Sequence, residues 1–256
     1  VQFVANFKNL LYTQFNDSGR ALNNSLYVLL QEALIFTQCY PKMSYRYHKV
    51  LKQGYVIQNS EPHHCKDLEK LQKIVFPTLS EDEIMREKHY LNHIKLFPAG
   101  QFVILDGDKV IGMSTTIRYH LALEDHTFLE ISDGLWMTSH EPNGEWLYGM
   151  DVGVHPDYRG QGLGREIYRS RQETCQRLGL KGQFTVGMPN GYLKYADKMS
   201  LEEYYKALVK GQIIDPTVSV QQRMGFEWIR LINNYLQDPQ CGNGGILMVL
   251  DGAKKV

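Results

Sequence analysis

The sequence has little that would suit it to a charged polymer, a membrane or an oxidising compartment. Lysine plus arginine and aspartate plus glutamate are equal at 28 each, so no global field favours nucleic acid or an anionic bilayer, and any anion must be held locally. Cysteine is sparse. Cys39, Cys65, Cys175 and Cys241 have no C-x-x-C spacing, which fits reduced thiols in the cytoplasm better than a disulfide framework or a zinc site. Long apolar runs are missing too: the densest, Leu26-Tyr27-Val28-Leu29-Leu30, is far too short to span a bilayer, and no basic stretch followed by an apolar block opens the chain. No internal repeat or low-complexity tract occurs. The expectation is a soluble cytoplasmic protein with neither nucleic acid nor membrane as partner. At 256 residues it can bury a large core and needs no metal for stability.

What is present falls into two parts. Over residues 1–50, Phe3, Phe7, Leu10 and Leu11, then Leu22, Leu26, Leu29, Leu30, Ala33 and Phe36, recur at helical spacing. This predicts an N-terminal helical extension of two amphipathic helices. Their apolar stripes need cover, either from the chain's own main domain or from a second copy in a homodimer. Residues 51–256 read as the main domain. Strands are expected at Tyr55–Gln58, Phe102–Leu105, Val110–Tyr119, Lys181–Gly187, Phe226–Ile232 and Ile246–Leu250. Helices are expected over Pro62–Val75, from a Ser80 cap to about Leu96, from Ser200 to about Lys210, and from Asp215-Pro216-Thr217 to near Gly225. Residues 120–146 show no clear period and read as a loop or short helices beside a site. The order gives a mixed α/β (α+β) fold with a partly antiparallel sheet.

The most specific stretch is Leu147–Leu178: a strand, a basic glycine-rich turn, then a helix. Val152 and Val154 end the strand, Pro156 stops it, and Arg159-Gly160-Gln161-Gly162-Leu163-Gly164 opens the helix. Unpaired backbone N–H groups and the positive end of a helix dipole point the same way at such a place, which suits a phosphate. Glycines let the ligand approach the backbone, and Arg159 and Arg165 add charge. A turn that merely packs a helix on a strand has the same letters. A Walker turn would need Gly-Lys-Ser/Thr where the chain has Gly164-Arg165-Glu166, and a dinucleotide fingerprint would need G-x-G-x-x-G.

Val152-x-Val154-His155-Pro156-x-x-Arg159-Gly160-x-Gly162-x-Gly164 resembles the acyl-CoA signature of the GNAT acetyltransferase superfamily, R/Q-x-x-G-x-G/A. More narrowly, Leu147-Tyr148-Gly149, Met199-Ser200-x-Glu202-Glu203-Tyr204 and Asp215–Gln221 resemble the GNAT-like domains fused in front of nitrilase-superfamily amidases, over roughly residues 53–251. The resemblance implies a GNAT fold, with a mixed, mostly antiparallel sheet and helices on both faces. It implies acetyl-CoA or another acyl-CoA as co-substrate and no metal, with acyl transfer to a small-molecule or peptide amine by direct attack in a ternary complex. Residues 160–164 and Arg165 would hold the pyrophosphate. The strand edge, Val152, Gly153 and Val154 included, would pair with pantetheine, and Asn190 matches a CoA-contacting asparagine.

Acyl transfer to an amine needs a base for the amine and an acid for the leaving thiolate. Asp151 is the only carboxylate in the focal strand and the first candidate for the base, although it equally suits a structural pairing role. A bulge would decide whether Asp151 or Tyr148 faces the cleft. The family's usual acid, the tyrosine of Y-x-x-x-G-F, is replaced by Gln221 in Gln221-Gln222-Arg223-Met224-Gly225-Phe226. Tyr192, Tyr195, Tyr204 and above all Tyr205 are the candidate substitutes, against a packing role. Cys175 reads as core rather than a covalent relay, His155 as a residue of the turn, and His63-His64-Cys65 as helix-start or surface residues. His140, Glu141 and Glu145 read as loop residues or as the rim of an acceptor pocket. Two readings therefore stand beside the acyltransferase: a degenerate GNAT domain serving as an acyl-CoA-binding or regulatory module, and a nucleotide-binding protein using the same turn.

Overall fold

Apolar alternation along the central segments produces eight strands in one sheet: β1 His48–Val50, β2 Val56–Asn59, β3 Phe102–Asp106, β4 Lys109–Tyr119, β5 Trp146–Val154, β6 Gly182–Gly187, β7 Glu227–Ile232 and β8 Gly245–Asp251. The computed structural model describes residues 46–256, so the two helices expected within 1–50 lie outside the described residues. The sheet itself begins at His48, upstream of residue 51. Strand order is β1-β2-β3-β4-β5-β6-β8-β7, antiparallel throughout except for the parallel pair β5–β6. Helices cover both faces of this mixed, mostly antiparallel sheet, the architecture that the resemblance implies.

Six helices are named here: α1 Cys65–Val75, α2 Glu87–Leu96, α3 Phe128–Ser132, α4 Leu163–Leu178, α5 Leu201–Val209 and α6 Val218–Arg223. On one face Cys65, Leu68 and Leu71 of α1 and Tyr90 of α2 pack with Val103, Met113, Tyr148 and Phe184 of the sheet. On the other, Leu163 and Ile167 of α4 pack on Ile104, Ile111, Val152 and Val154. Cys175 joins Leu147 and Leu180 in that layer, and burial pushes its thiol up to about 12, which suits a core residue and not a nucleophile.

The helix expected from Ser80 starts late. Glu81–Glu83 forms one 3-10 turn, Ile84 and Met85 then bury their side chains, and α2 begins only at Glu87. The physical reason is Glu83, whose buried carboxylate accepts from Gln237 N at 2.7 Å and pins this turn to the β7–β8 connection. Ser200 does cap α5, accepting from Glu203 N at 3.2 Å in a reciprocal box. α6 is set by Asp215, whose carboxylate accepts from Thr217 N, Val218 N, Gly191 N and Tyr204 Oη.

Buried His93 is expected to make the fold less stable in acid. His93 donates from Nε2 to Leu135 O at 2.6 Å, and its Nδ1 is buried with no acceptor, so a second proton has nowhere to bond. Burial lowers its pKa from 6.5 to about 4. A depressed histidine leaves the unfolded chain the better proton acceptor, so this stability is whole above pH 6.5 and is lost as pH falls towards 4. Urea unfolding at pH 7, 5.5 and 4.5 should show a falling midpoint, with His93 contributing about 3 kcal/mol over the full window. A midpoint independent of pH would remove this account.

Candidate functional site

The site is built where two strands part. β5 pairs with β6 only over Trp146–Gly149 against Gly182–Thr185, and Thr185 Oγ1 donates to Gly149 O at 2.7 Å at the end of that register. Beyond it β6 continues with β8, through Val186 and Gly187, while β5 continues with β4 to Val154. The segment 150–154 thus keeps one open edge in the middle of the sheet. An extended chain bearing amides can pair with such an edge as an added strand.

A bulge lies at the point of parting. The β4–β5 register jumps from Thr115↔Asp151 to Thr116↔Gly149, leaving Met150 as the surplus residue. Simple alternation would put Tyr148 and Asp151 on opposite faces. The bulge cancels this: Gly149, Val152 and Val154 look towards α4, while a Cβ on Gly153 would meet Met113 and Val75 on the α1 face. Asp151 Oδ1 accepts from Thr115 N at 2.6 Å, and its buried Oδ2 has no partner. Desolvation raises the carboxyl pKa, against Arg171 and the Thr115 amide, which lower it.

Arg171 holds the bulge from the other face. This guanidinium, 1% exposed, donates to Ser114 Oγ at 2.7 Å, to Thr115 O at 3.3 Å and to Asp151 O. Gly149 makes room for it, since a Cβ there would lie 2.3 Å from Arg171 Nη1. No sequence pattern singled out Arg171, although its place on the buried stripe Ile167, Tyr168, Arg171, Cys175 was a signal: a cation on an apolar face needs buried acceptors.

At the far end of β5 the glycine-rich turn leads into α4. Gly160 and Gly162 have φ of 77° and 81°, the left-handed region that favours glycine. Backbone bonding lapses between Arg159 N to Pro156 O and Glu166 N to Gly162 O, leaving the amides of 160–164 without a protein acceptor. A Cβ at Gly160, Gly162 or Gly164 would meet nothing within 4 Å, so the space over those amides is open. These donors, with the exposed Arg165 nearby, suit a pyrophosphate. Arg159 Nε donates to Val154 O at 3.1 Å and bridges the turn to the strand.

The remaining candidates divide by face. Tyr148 is buried, its hydroxyl 2.9 Å from Tyr235 Oη and 3.1 Å from His126 Nε2, while His126 Nδ1 donates to Glu124 O at 2.9 Å. Burial pushes Tyr148 far above the usual phenol range and depresses His126. On the same side a cavity of about 290 Å³ is lined by Glu83, Thr127, Asn234, Tyr235 and Asn243 and contains no basic side chain. His126 and Tyr235 were not singled out in the sequence, because only the fold brings 126, 148 and 235 together. Tyr205 on α5 is half-buried against the cluster that contains Tyr168 and Val218, and its side chain makes no hydrogen bond among the described residues. Asn190 donates to Thr217 Oγ1 at 3.0 Å. His155 Nδ1 accepts from Asp157 N at 3.3 Å, and His64 Nδ1 accepts from Glu61 N at 2.9 Å. His140 Nδ1 accepts from Arg118 N at 3.1 Å, and Glu141 and Glu145 pair with His120 and Lys181.

The acetyltransferase (GNAT) family model matches residues 65–192, which run from the first residue of α1 past the parted strands and the turn. The chain belongs to the GNAT family. Among its GNAT relatives, the uncharacterized N-acetyltransferase YkwB of Bacillus subtilis (strain 168) is 31% identical over 212 residues, covering 78% of this chain and 94% of that protein. The probable hydrolase YhcX of the same organism is 36% identical over 188 residues, covering 72% of this chain. This chain spans only 36% of YhcX's length. The GphF GNAT-like decarboxylase in complex with isobutyryl-CoA superposes with a TM-score of 0.66 at 19% identity, covering 77% of this chain and 98% of that one, a likeness of fold.

Proposed function

We propose that the protein is an N-acyltransferase that takes its acyl group from acyl-CoA, acetyl-CoA first among them, and gives it to the amine of a small molecule or peptide in one ternary complex. The observation that carries this reading is the continuity of two otherwise unexplained features: the open edge of β5 at 150–154 runs directly into the unbonded amides of 160–164. A pantetheine arm would lie along the first and a pyrophosphate over the second. Acyl-CoA supplies an activated carbonyl as a thioester. Everything else falls to the chain's side chains.

Asp151 takes the amine's proton. Its Oδ1 is fixed by Thr115 N, its Oδ2 is free of partners, and desolvation makes it a stronger base than an exposed aspartate. The acceptor comes from the side of Tyr235, where the cavity between the 127–129 segment and the β7–β8 connection has the size for a small amine and an acidic wall residue, Glu83. The regulatory-module reading has one observation in its favour, Gln221 at the position of the family's usual acid.

Calorimetric titration with acetyl-CoA, CoA and ATP tests the proposal. Acetyl-CoA and CoA should bind, and Gly162→Val, which fills the open space above a left-handed backbone, should weaken both at least tenfold. Absence of CoA binding sinks the enzyme, and a preference for ATP points to a nucleotide site. Tight CoA binding without thiol release across a panel of primary amines would leave the module.

A further inference from the structure

The parted strands hold a second pair of side chains whose bonding is incomplete. Tyr168 on α4 belongs to a buried cluster with Val218, Phe226 and Met248, and Val152 on the open edge of β5 packs against that cluster. Gln221 on α6 stands on the opposite side of the opening. Its Oε1 is 2.4 Å from the place a Cβ on Gly187 would take, so it lies against the last residue of β6. The two meet across the opening, with Gln221 Nε2 donating to Tyr168 Oη at 2.6 Å. Both are buried, at 7% and 4% exposure.

Two bonding capacities then remain. Tyr168 Oη accepts from Gln221, and its own O–H proton has no acceptor among the described residues. Gln221 Oε1 is likewise buried without a partner. A buried hydroxyl with an unspent proton is costly unless something else occupies the site. Through Gln221 it is tied to Gly187 at the end of β6, beyond the last β5–β6 pair at Gly149 and Thr185.

We infer that Tyr168, oriented by Gln221, is the catalytic acid that protonates the sulfur leaving from acyl-CoA. This rests on the acyltransferase reading above. As the bond between amine nitrogen and carbonyl carbon forms and the carbon–sulfur bond breaks, sulfur keeps the bonding pair and takes the phenolic proton. The amine's surplus proton goes to Asp151 and then, through solvent, restores the phenol, so the products are amide and free thiol. Two groups support the transient phenolate: the Gln221 amide N–H, and the Arg171 guanidinium, whose Cζ lies 5.4 Å from the Tyr168 ring centroid. Burial otherwise raises the Tyr168 pKa and keeps the group protonated until it is used. Gln221 is a positioning residue, since it acts through the phenol.

The test uses Tyr168→Phe, Gln221→Tyr and the double variant in the full chain. Tyr168→Phe should keep the acetyl-CoA dissociation constant within about threefold and lower thiol release with amines by roughly 10²-fold. That loss should shrink for a thioester whose thiol is more acidic and leaves unaided. Gln221→Tyr in the Tyr168→Phe background should recover at least tenfold, because its phenol enters the same opening. Independently of turnover, the thiolate absorbance of bound CoA, read as a difference from CoA-free protein, should titrate about one pH unit higher in Tyr168→Phe, since the phenol's hydrogen bond to sulfur favours the thiolate. Cys65, Cys175 and Cys241, pushed up to about 11, 12 and 12, stay silent below that range. A wild type that binds CoA and turns over, with Tyr168→Phe unchanged in rate and in thiol titration, overturns the acid and leaves the acyltransferase standing. A wild type that does not bind CoA overturns both.

Discussion

Asp151→Asn is expected to lower turnover by about 10²–10³-fold while leaving acyl-CoA affinity within a factor of about three. The amide keeps the shape of the carboxylate, and its oxygen still accepts from Thr115 N, so the bulge is retained. What it loses is the ability of Oδ2 to take a proton at the one buried atom of this residue that has no other partner. Single-turnover thiol release with saturating amine isolates the effect from binding. Unchanged turnover would return Asp151 to the role of a bulge-fixing carboxylate.

Arg171→Met is expected to cost about 3 kcal/mol and to lower the melting temperature by roughly 6–12 °C. Methionine fills much of the volume, but Ser114 Oγ, Thr115 O and Asp151 O lose a common donor in a dry interior. The variant has a second signature that a purely structural loss would not give. Arg171 lowers the Asp151 pKa, so its removal must raise it further, and the acid limb of the pH–rate profile should move to higher pH. Thermal unfolding and the rate profile together check both parts. Loss of stability with an unmoved limb would separate Arg171 from the base.

How much of this was legible in the sequence depended on whether the determinant was local. The turn at 159–164 was readable because glycine identity reports left-handed backbone directly, and Gly160 and Gly162 adopt it. The strand, turn and helix around that turn were readable from the alternation of strands and helices along the chain. The bulge was not: a surplus residue leaves no mark on composition, and only the register Thr115↔Asp151, Thr116↔Gly149 reveals that Met150 shifts the phase. Ser80 looked like a cap because its acidic first turn suits a dipole, yet the tertiary bond from Gln237 N to Glu83 took precedence. The same limit hid the triad of 126, 148 and 235 and the pairing of Tyr168 with Gln221, which are held by hydrogen bonds between residues 22 to 87 positions apart.

Among the described residues, the sheet's outer margins contrast with its centre. β1 has only three residues, and β7 is interrupted by an irregularity between Trp228 and Arg230, so both flanks are poor templates for another chain. A further unpaired edge, 150–154, is at the centre, between two strands that converge to a closed end at Gly149 and Thr185. A strand that brings its own sheet cannot slide into a wedge bounded on both sides, whereas a slender, linear amide chain can. Opening the sheet from within, rather than at its border, therefore filters guests by thickness.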